Sequence, residues 1–336
     1  MAVKNDIEVR NLRKNYYEYK VFKKGKLLTR ALKGVSFNVK RGDFIGLLGL
    51  NGAGKTTLMK ILTTNMRETS GKVLVNGFDV NSDQRKVRKS ISWMYGVDYY
   101  GVGWASVQKN LELAANILGL EKKKSKQIID RTIKEFGLQK FRKLDVWRLS
   151  TGLRARYSLA VAMMKNPKIL FLDEPLIGLD VESKDAVRKK LNELNQNGLT
   201  ILYTSHQLNE VEKVCKKIIL INDGKIVHQG YTDDLKNRYR KINLLEIRCK
   251  TEDLVGIRKS LLREKNIIND IEVLGSRGNE HQLKIYTNVD SSEALLPIGK
   301  LFKNKNVILQ SLNVGTVDLE TVFKKVIKKK LFKSFY

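Results

Sequence analysis

A glycine-rich loop that follows a short apolar run constrains the fold of this chain more than any other part of its sequence. The run Phe44–Leu48 has the composition of a buried β-strand, and residues 49–57 (GLNGAGKTT) have the G-x-x-x-x-G-K-T spacing of a phosphate-binding loop. Glycines at this spacing let backbone N–H groups face phosphate oxygens, and a helix predicted over Leu58–Leu62 directs the positive end of its dipole to the same point. This order of strand, loop and helix predicts an α/β fold that binds a nucleoside triphosphate.

The loop supplies most of the candidate binding residues. The Lys55 ammonium group can reach the β- and γ-phosphates, and the Thr56 hydroxyl can ligate Mg²⁺. The residues expected to contact the nucleotide are Gly49, Asn51, Gly52, Ala53, Gly54, Lys55, Thr56 and Thr57.

A second motif, KILFLDEP at residues 168–175, places two carboxylates at the end of another apolar run. Ligands of α/β folds bind at the carboxyl ends of the parallel strands. We therefore expect Asp173 to hold the Mg²⁺ ion and Glu174 to polarise the attacking water. An acidic turn without a catalytic role is the alternative, and the phosphate loop upstream argues against it.

Two weaker signals lie between and beyond these motifs. Ser150 precedes an apolar helical run at residues 155–164 and resembles an N-cap, which would leave free N–H groups for an anion. His206 follows the β-rich run Thr200–Thr204. A histidine at a strand end is usually structural, but the convergence of this strand end with the other motifs favours a functional role.

The composition predicts about two domains in a reducing, cytoplasmic compartment. The chain has 336 residues, and its net charge of +29 leaves nucleic acid, anionic lipid and phosphate ligands open, with a lysine-rich proteome as the alternative explanation. No apolar run approaches the ~20 residues of a membrane helix. The start of the sequence lacks the apolar core of a secretory signal, and Cys215 and Cys249 form neither a disulfide framework nor a zinc cluster.

The predicted domains are residues 1–235 and 240–320, followed by a lysine-rich tail at 321–336. The first domain alternates β-rich runs with amphipathic stretches, and its clearest strands are Phe44–Leu48, Lys168–Leu172, Thr200–Thr204 and Ile218–Ile221. The second has the βαββαβ order of a ferredoxin-like α+β domain, which we interpret as a regulatory or docking module. Its predicted elements are Ile242–Cys249, Glu252–Glu264, Ile267–Leu274, Gln282–Tyr286, Ser291–Phe302 and Val307–Leu312.

Five motifs in this order resemble the nucleotide-binding domain of ATP-binding cassette (ABC) proteins, a P-loop NTPase fold. GLNGAGKT resembles their Walker A motif, and ILFLDEP resembles Walker B with its catalytic glutamate. LSTGL at residues 149–153 is similar to the signature motif, usually L-S-G-G-Q, and GLD at 178–180 is similar to the D-loop. His206 matches the switch histidine, and the resemblance covers residues 5–230.

The resemblance implies an ATPase that binds Mg-ATP and closes into a homo- or heterodimer. Ser150 and Gly152 of the signature would contact the ATP held by the partner, and His206 would stabilise the γ-phosphate. Tyr16 is the best match for the aromatic residue that stacks on adenine, with Tyr17 as the alternative. A stretch at residues 16–33 looks like an insertion after this aromatic residue.

The end of the chain adds a prediction about partners. VDLETVF at residues 317–323 is similar to the ends of exporter ATPases that handle drugs, peptides or polysaccharides. The resemblance implies docking onto a separate transmembrane permease at the cytoplasmic face of the membrane, with peripheral membrane contact and no stable nucleic-acid partner. The transported substrate is left open.

The sequence departs from the family pattern in two places. The signature has Thr151 for its first glycine and Leu153 for its glutamine. The strand predicted over Ile91–Gly96 should be followed by the glutamine of the Q-loop, but Val97 and then Asp98 follow it. Either Asp98 replaces the glutamine, or the link between ATP and the permease is weaker; we favour the weaker link.

Two other functions are weighed against this one. A soluble ABC ATPase that acts on nucleic acid or ribosomes would explain the positive charge, but such proteins usually carry two cassettes or a long coiled coil, and the sequence has neither. A degenerate, regulatory nucleotide binder would explain the departures at Val97 and Leu153. The presence of Glu174 and His206 argues against it.

Overall fold

The computed structural model describes residues 5–18, 25–96, 101–238 and 243–315, with the backbone alone at 208–209 and 236–238. Internal contacts divide the chain into two units, Met1–Tyr231 and Thr232–Tyr336. The boundaries at residues 235 and 240 stay predictions. The tail at 321–336 lies outside the described residues, and so do Val97 and Asp98.

The first unit contains two sheets and the helices that cover them. Its strands are β1 (Asn5–Tyr17), β2 (Leu27–Lys40), β3 (Phe44–Leu48), β4 (Ser70–Val75), β5 (Phe78–Asp79), β6 (Ile91–Tyr95), β7 (Ile169–Asp173), β8 (Thr200–Ser205), β9 (Lys217–Asn222) and β10 (Lys225–Tyr231). Its helices are α1 (Lys55–Leu62), α2 (Gln84–Ser90), α3 (Val107–Ile117), α4 (Lys122–Glu135), α5 (Thr151–Met163), α6 (Val181–Gln196) and α7 (Leu208–Val214), with 3₁₀ turns at Gln139–Phe141 and Val146–Arg148.

A six-stranded sheet has the order β10-β9-β3-β8-β7-β6, and every neighbouring pair is parallel except β9 with β10. All side chains of β3, β7 and β8 are buried, as expected for parallel strands covered on both faces. The four strands predicted from apolar runs are therefore confirmed, with bounds that shift by at most one residue. Because β3, β8 and β7 are neighbours, their carboxyl ends meet at one edge of the sheet.

The second sheet is antiparallel, with the order β2-β1-β4-β5. Its apolar face shares a core with α1 and the parallel sheet, and Ile7, Leu47 and Leu58 in this core are fully buried. Burying each such side chain contributes about 1.5–3 kcal/mol. The shared core fixes α1, and with it the phosphate loop, between the two sheets.

The segment interpreted as an insertion extends this antiparallel sheet where the structure describes it. Tyr16 pairs with Thr29 and Tyr17 pairs with Leu27, so the ladder between β1 and β2 continues beyond the core.

The second unit has the predicted βαββαβ order, preceded by one helix. Its elements are α8 (Thr232–Arg238), β11 (Asn243–Lys250), α9 (Leu254–Leu261), β12 (Ile268–Arg277), β13 (Glu280–Thr287), α10 (Ser291–Asn304) and β14 (Ile308–Gly315). The sheet order is β12-β13-β11-β14, and all neighbours are antiparallel. This is the split β-α-β arrangement, with Leu245, Ile257, Ile285 and Ile298 among its buried core residues.

Candidate active site

A cavity of about 560 Å³ lies at the carboxyl edge of the parallel sheet. It brings together three segments that are far apart in the sequence: the phosphate loop, the end of β7 and the residue after β8. Nine of the predicted site residues line it: Asn51, Gly52, Gly54, Lys55, Thr56, Thr57, Asp173, Glu174 and His206. The cavity is therefore built from most of the residues that the sequence motifs single out.

The glycines of the loop are required by its backbone and by close packing. Gly54 precedes α1 with a φ of 107°, in a region that side chains rarely tolerate. A Cβ atom at Gly54 would lie 2.6 Å from the carbonyl oxygen of Ala31, and one at Gly49 would lie 2.4 Å from that of Ile221. The loop can hold this shape only with glycine at both positions.

Lys55 is held above the loop by two carbonyl groups. Its Nζ donates to the oxygens of Gly49 at 2.7 Å and Leu50 at 3.2 Å, and the residue is only 7% exposed. Desolvation lowers the pKa of Lys55, and the nearby carboxylates of Glu174 and Asp173 oppose that shift. Since α1 begins without an acidic residue or a side-chain cap, this buried ammonium and the free N–H groups together favour an anion.

Asp173 presents one satisfied and one unsatisfied oxygen. Its Oδ1 accepts a hydrogen bond from the Thr204 hydroxyl, which fixes the carboxylate between neighbouring strands. Its Oδ2 is buried without a hydrogen-bond partner among the described residues. A buried carboxylate oxygen of this kind is costly unless a cation or a water occupies the cavity beside it.

Glu174 combines a strained backbone with a contact to His206. Its φ of 54° lies in the left-handed region, and its N–H donates to the carbonyl and hydroxyl oxygens of Thr204 at 3.2 and 3.3 Å. Its Oε1 lies 2.8 Å from Nδ1 of His206. The two side chains are 25% and 39% exposed, so a water molecule can reach the pair.

The two predicted signature residues do not line this cavity. Ser150 is confirmed as the N-cap of α5, since its hydroxyl accepts a bond of 3.3 Å from the N–H of Leu153. A Cβ atom at Gly152 would lie 2.0 Å from Oγ of Ser183. Ser183 in turn donates from both its N–H and its hydroxyl to Asp180, the N-cap of α6, at 2.8 Å each. The signature and the D-loop motif thus pack together at the start of two helices.

Three further predicted residues support the loop from outside the cavity. The Tyr16 hydroxyl lies 3.2 Å from the hydroxyl of Thr57, and Lys14 lies 5.5 Å from the centre of the Tyr16 ring. Ala53 is buried, and its N–H donates to the carbonyl of Leu50. Gly49 supplies the carbonyl that holds Lys55. The adenine contact of Tyr16 stays a prediction.

Sequence reasoning missed four residues of the cavity: Ala31, Tyr95, Gly96 and Ile177. Tyr95 and Gly96 were findable, because the predicted strand Ile91–Gly96 ends with them and ligands bind at the carboxyl ends of parallel strands. In the structure this strand lies beside β7, and the N–H of Gly96 donates to the carbonyl of Asp173 at 2.7 Å. Ala31 comes from the antiparallel sheet, and no local pattern indicates such a long-range contact.

The described residues lack two features that would point to other functions. They contain no group of three or more histidine, cysteine, aspartate or glutamate side chains that could hold a metal ion. None of the helices in the described ranges has both the length and the apolar character needed to cross a bilayer.

Comparison with known proteins gives consistent matches. A sequence model of the family described as "ABC transporter" matches residues 32–177. The chain is 36% identical over 219 residues to the doxorubicin resistance ATP-binding protein DrrA of Mycobacterium tuberculosis. The matched residues make up 65% of this chain and 65% of DrrA. It is 27% identical over 299 residues to the linearmycin resistance ATP-binding protein LnrL of Bacillus subtilis, covering 87% of this chain and 92% of that protein.

A solved structure extends the likeness to three dimensions. The structure of cbiO1 from Clostridium perfringens, described as part of the ABC transporter complex cbiONQ, superposes with a TM-score of 0.60 at 26% identity. The match covers 78% of this chain and 96% of that one.

Proposed function

Since the first unit of this chain is an ATP-binding domain of the ABC transporter family, and the chain is an ABC ATPase, we propose that it drives export through a separate transmembrane permease. The observation that supports ATP binding and hydrolysis is the cavity, because Lys55 of the phosphate loop, Asp173 and the Glu174–His206 pair line one space. Each of these groups has a distinct part in binding or hydrolysing ATP.

Binding of the nucleotide is assigned to the loop and the start of α1. The Lys55 ammonium would exchange its two carbonyl partners for the β- and γ-phosphates, while the loop N–H groups bind the same oxygens. Thr57 and Asn51 line the cavity beside them.

The donors in the cavity fit a Mg²⁺ ion. Mg²⁺ is usually held by one or two carboxylates together with substrate phosphates and waters, and the unpartnered, buried Oδ2 of Asp173 is such a ligand. The Thr56 hydroxyl is the second protein donor that we assign. When bound, the ion neutralises charge that develops on the phosphates.

Hydrolysis is assigned to Glu174 and His206. Glu174 would accept a hydrogen bond from the attacking water and orient it, which is the role of a positioned general base. The 2.8 Å contact with Nδ1 of His206 fixes the Glu174 carboxylate. A doubly protonated His206 ring would have a second N–H, at Nε2, to donate toward the γ-phosphate.

The absence of Ser150 and Gly152 from the cavity supports a dimer. Both residues lie at the start of α5, where Ser150 caps the helix and is exposed to solvent. In a dimer of two ATPase subunits, this surface would close over the ATP of the partner, as the family resemblance implies. Closure would then move the permease between two states.

Export is supported by the names of the relatives, since DrrA and LnrL are both described as resistance proteins. We place the chain at the cytoplasmic face of the cell membrane as a peripheral subunit. The alternative role on nucleic acid rests on the net charge of +29 alone.

Co-expression with the cognate permease tests the proposal. Expressed alone, the chain should leave anionic membranes in high salt, because exposed charges are screened over ~8–10 Å already at physiological ionic strength. With its permease it should stay bound after the same wash, and inverted vesicles should take up substrate only with ATP. Uptake in the opposite sense would overturn export, and tight RNA binding without a membrane partner would overturn the permease assignment.

A further inference from the structure

A cluster of charged side chains, which the proposed hydrolysis does not use, joins α6 to α7. Arg188 donates to the carboxylates of Glu210 and Asp185, and Lys184 lies 3.2 Å from Oε1 of Glu210. The Arg188 and Glu210 side chains are only 9% and 14% exposed, whereas Asp185 is 65% exposed. The buried part of the cluster is therefore one carboxylate of α7 between two cations of α6.

The position of Glu210 in the chain connects this cluster to the cavity. His206 follows β8, and α7 begins two residues later at Leu208, so Glu210 lies in the first turn of the helix that follows His206. A helix of seven residues has little stability of its own and depends on tertiary contacts for its position.

Contacts of two kinds hold α7 among the described residues. Val211 is fully buried against β3, where a Cβ atom at Gly46 would lie 2.2 Å from its Cγ1. That contact sets the distance of α7 from the sheet but exerts little constraint along the helix axis, because it is apolar and non-directional. Glu210 adds a directional constraint, because it is bound by two charged donors.

The start of α6, just before Lys184, reaches the signature. Its N-cap Asp180 is bonded to Ser183, and Ser183 packs on Gly152 at the start of α5. Lys184 is the next residue of the same helix. Helix α6 therefore contacts the signature at its N-terminus and contacts Glu210 of α7 one to two turns later.

We propose that Glu210 is a positioning residue for ATP hydrolysis, and that its bonds to Arg188 and Lys184 hold His206 against Glu174. The proposal rests on the role of the Glu174–His206 pair proposed above. The 2.8 Å contact between these two side chains tolerates little movement, and α7 is the element that follows His206 directly.

Glu210→Gln tests this, because it keeps the shape of the side chain and removes its charge. We expect turnover to fall about 10- to 100-fold, the usual effect of misplacing a catalytic group by about 1 Å. The affinity for ATP measured by calorimetry should change less than about threefold, since no phosphate-binding group is touched.

Glu135→Gln is the matched control. It removes an ion pair of the same helix, since Glu135 of α4 lies 3.3 Å from Lys190 of α6, and this pair joins α6 to α4 instead of α7. It should leave turnover within about twofold of the wild-type value.

A second variant distinguishes a loss of positioning from a loss of folding. Glu210→Gln leaves Arg188 buried with a weakened partner, so the double variant Arg188→Met/Glu210→Gln removes both charges and keeps the volume. It should fold with a thermal midpoint near that of the control and still lose turnover about 10-fold or more. Wild-type turnover in this folded variant would overturn the proposal.

A double-mutant cycle with His206→Ala separates positioning from a general structural role. If Glu210 acts through His206, then Glu210→Gln should lower the residual single-turnover rate of His206→Ala less than about twofold. A full additional loss, or a parallel loss of ATP affinity, would show that Glu210 is only structural. If His206→Ala and Glu174→Gln both keep wild-type turnover, the proposed roles of the pair are wrong instead.

Discussion

The Glu174→Gln variant tests the chemistry of the cavity with the smallest change in structure. The backbone at this position has a φ of 54°, and glutamine has the same cost there as glutamate. The amide can also keep a hydrogen bond to Nδ1 of His206, which now lies 2.8 Å from Oε1. The substitution therefore removes the carboxylate charge and leaves the position of the side chain unchanged.

The magnitude follows from what the carboxylate is proposed to do. A positioned general base contributes about 10²- to 10⁴-fold to a rate, so turnover should fall at least ~100-fold, equivalent to about 2.7 kcal/mol of activation free energy. ATP binding should survive or become tighter. Lys55 and the loop are untouched, and the carboxylate that is removed faces the same cavity as the phosphates.

Steady-state phosphate release, calorimetry with Mg-ATP and light scattering together measure these effects. The variant should bind ATP, turn over slowly and accumulate as an ATP-bound dimer. The unfolding free energy should stay within about 0.5 kcal/mol of the wild-type value, because the side chain is partly exposed. Turnover at the wild-type rate would refute the assignment of Glu174.

Four further outcomes are expected. Lys55→Ala should raise the Kd for ATP by about 10- to 100-fold in calorimetry, since a hydrogen bond from a charged donor contributes about 1.5–3 kcal/mol. Gly46→Ala should lower the unfolding free energy in urea by about 1–3 kcal/mol, because the new methyl group would meet a valine of α7 at 2.2 Å. Burial raises the pKa of Glu210, but the bonds from the two cations of α6 together outweigh this and hold the pKa below its usual 4.5. The contribution of ionised Glu210 to the free energy of unfolding is therefore complete above pH 4.5, and it is lost as the pH falls through the pKa of Glu210 in the folded protein. In urea unfolding, the free energy of unfolding of Glu210→Gln should therefore decrease less on acidification than that of the wild-type protein. Val97→Gln should raise turnover in the complex with the permease, and Asp98→Ala should be nearly silent; a strong loss in Asp98→Ala would show that this carboxylate has replaced the glutamine.

Local patterns in the sequence predicted the parts of the site that are built locally. The run Phe44–Leu48, the glycine spacing after it and the run before Asp173 each fix one strand end, and parallel strands bring those ends together. The N-cap at Ser150 was predictable for the same reason, since a cap depends on residues within one turn. The βαββαβ order of the second unit also followed from periodicity alone.

Contacts between distant segments carried no such signal. Ala31 reaches the cavity from the other sheet, and only the packing of the two sheets places it there. The positive φ of Glu174 is imposed by its bonds to Thr204, which no preference of glutamate predicts. The bonds from Arg188 and Lys184 to Glu210 likewise join residues that are 22 and 26 positions apart. They connect two helices whose contact the sequence does not reveal.

The close approach of residue 152 to Ser183 determines which changes the signature can tolerate. Thr151 and Leu153, the two departures from L-S-G-G-Q, are half-buried. Gly152 is buried, and even a methyl group there would lie 2.0 Å from a hydroxyl of the neighbouring helix. Substitutions at residues 151 and 153 change the groups that the motif can present to a ligand. A substitution at residue 152 would instead force α5 and α6 apart. At residue 152 the adjacent helix therefore restricts substitution independently of any contact with the nucleotide.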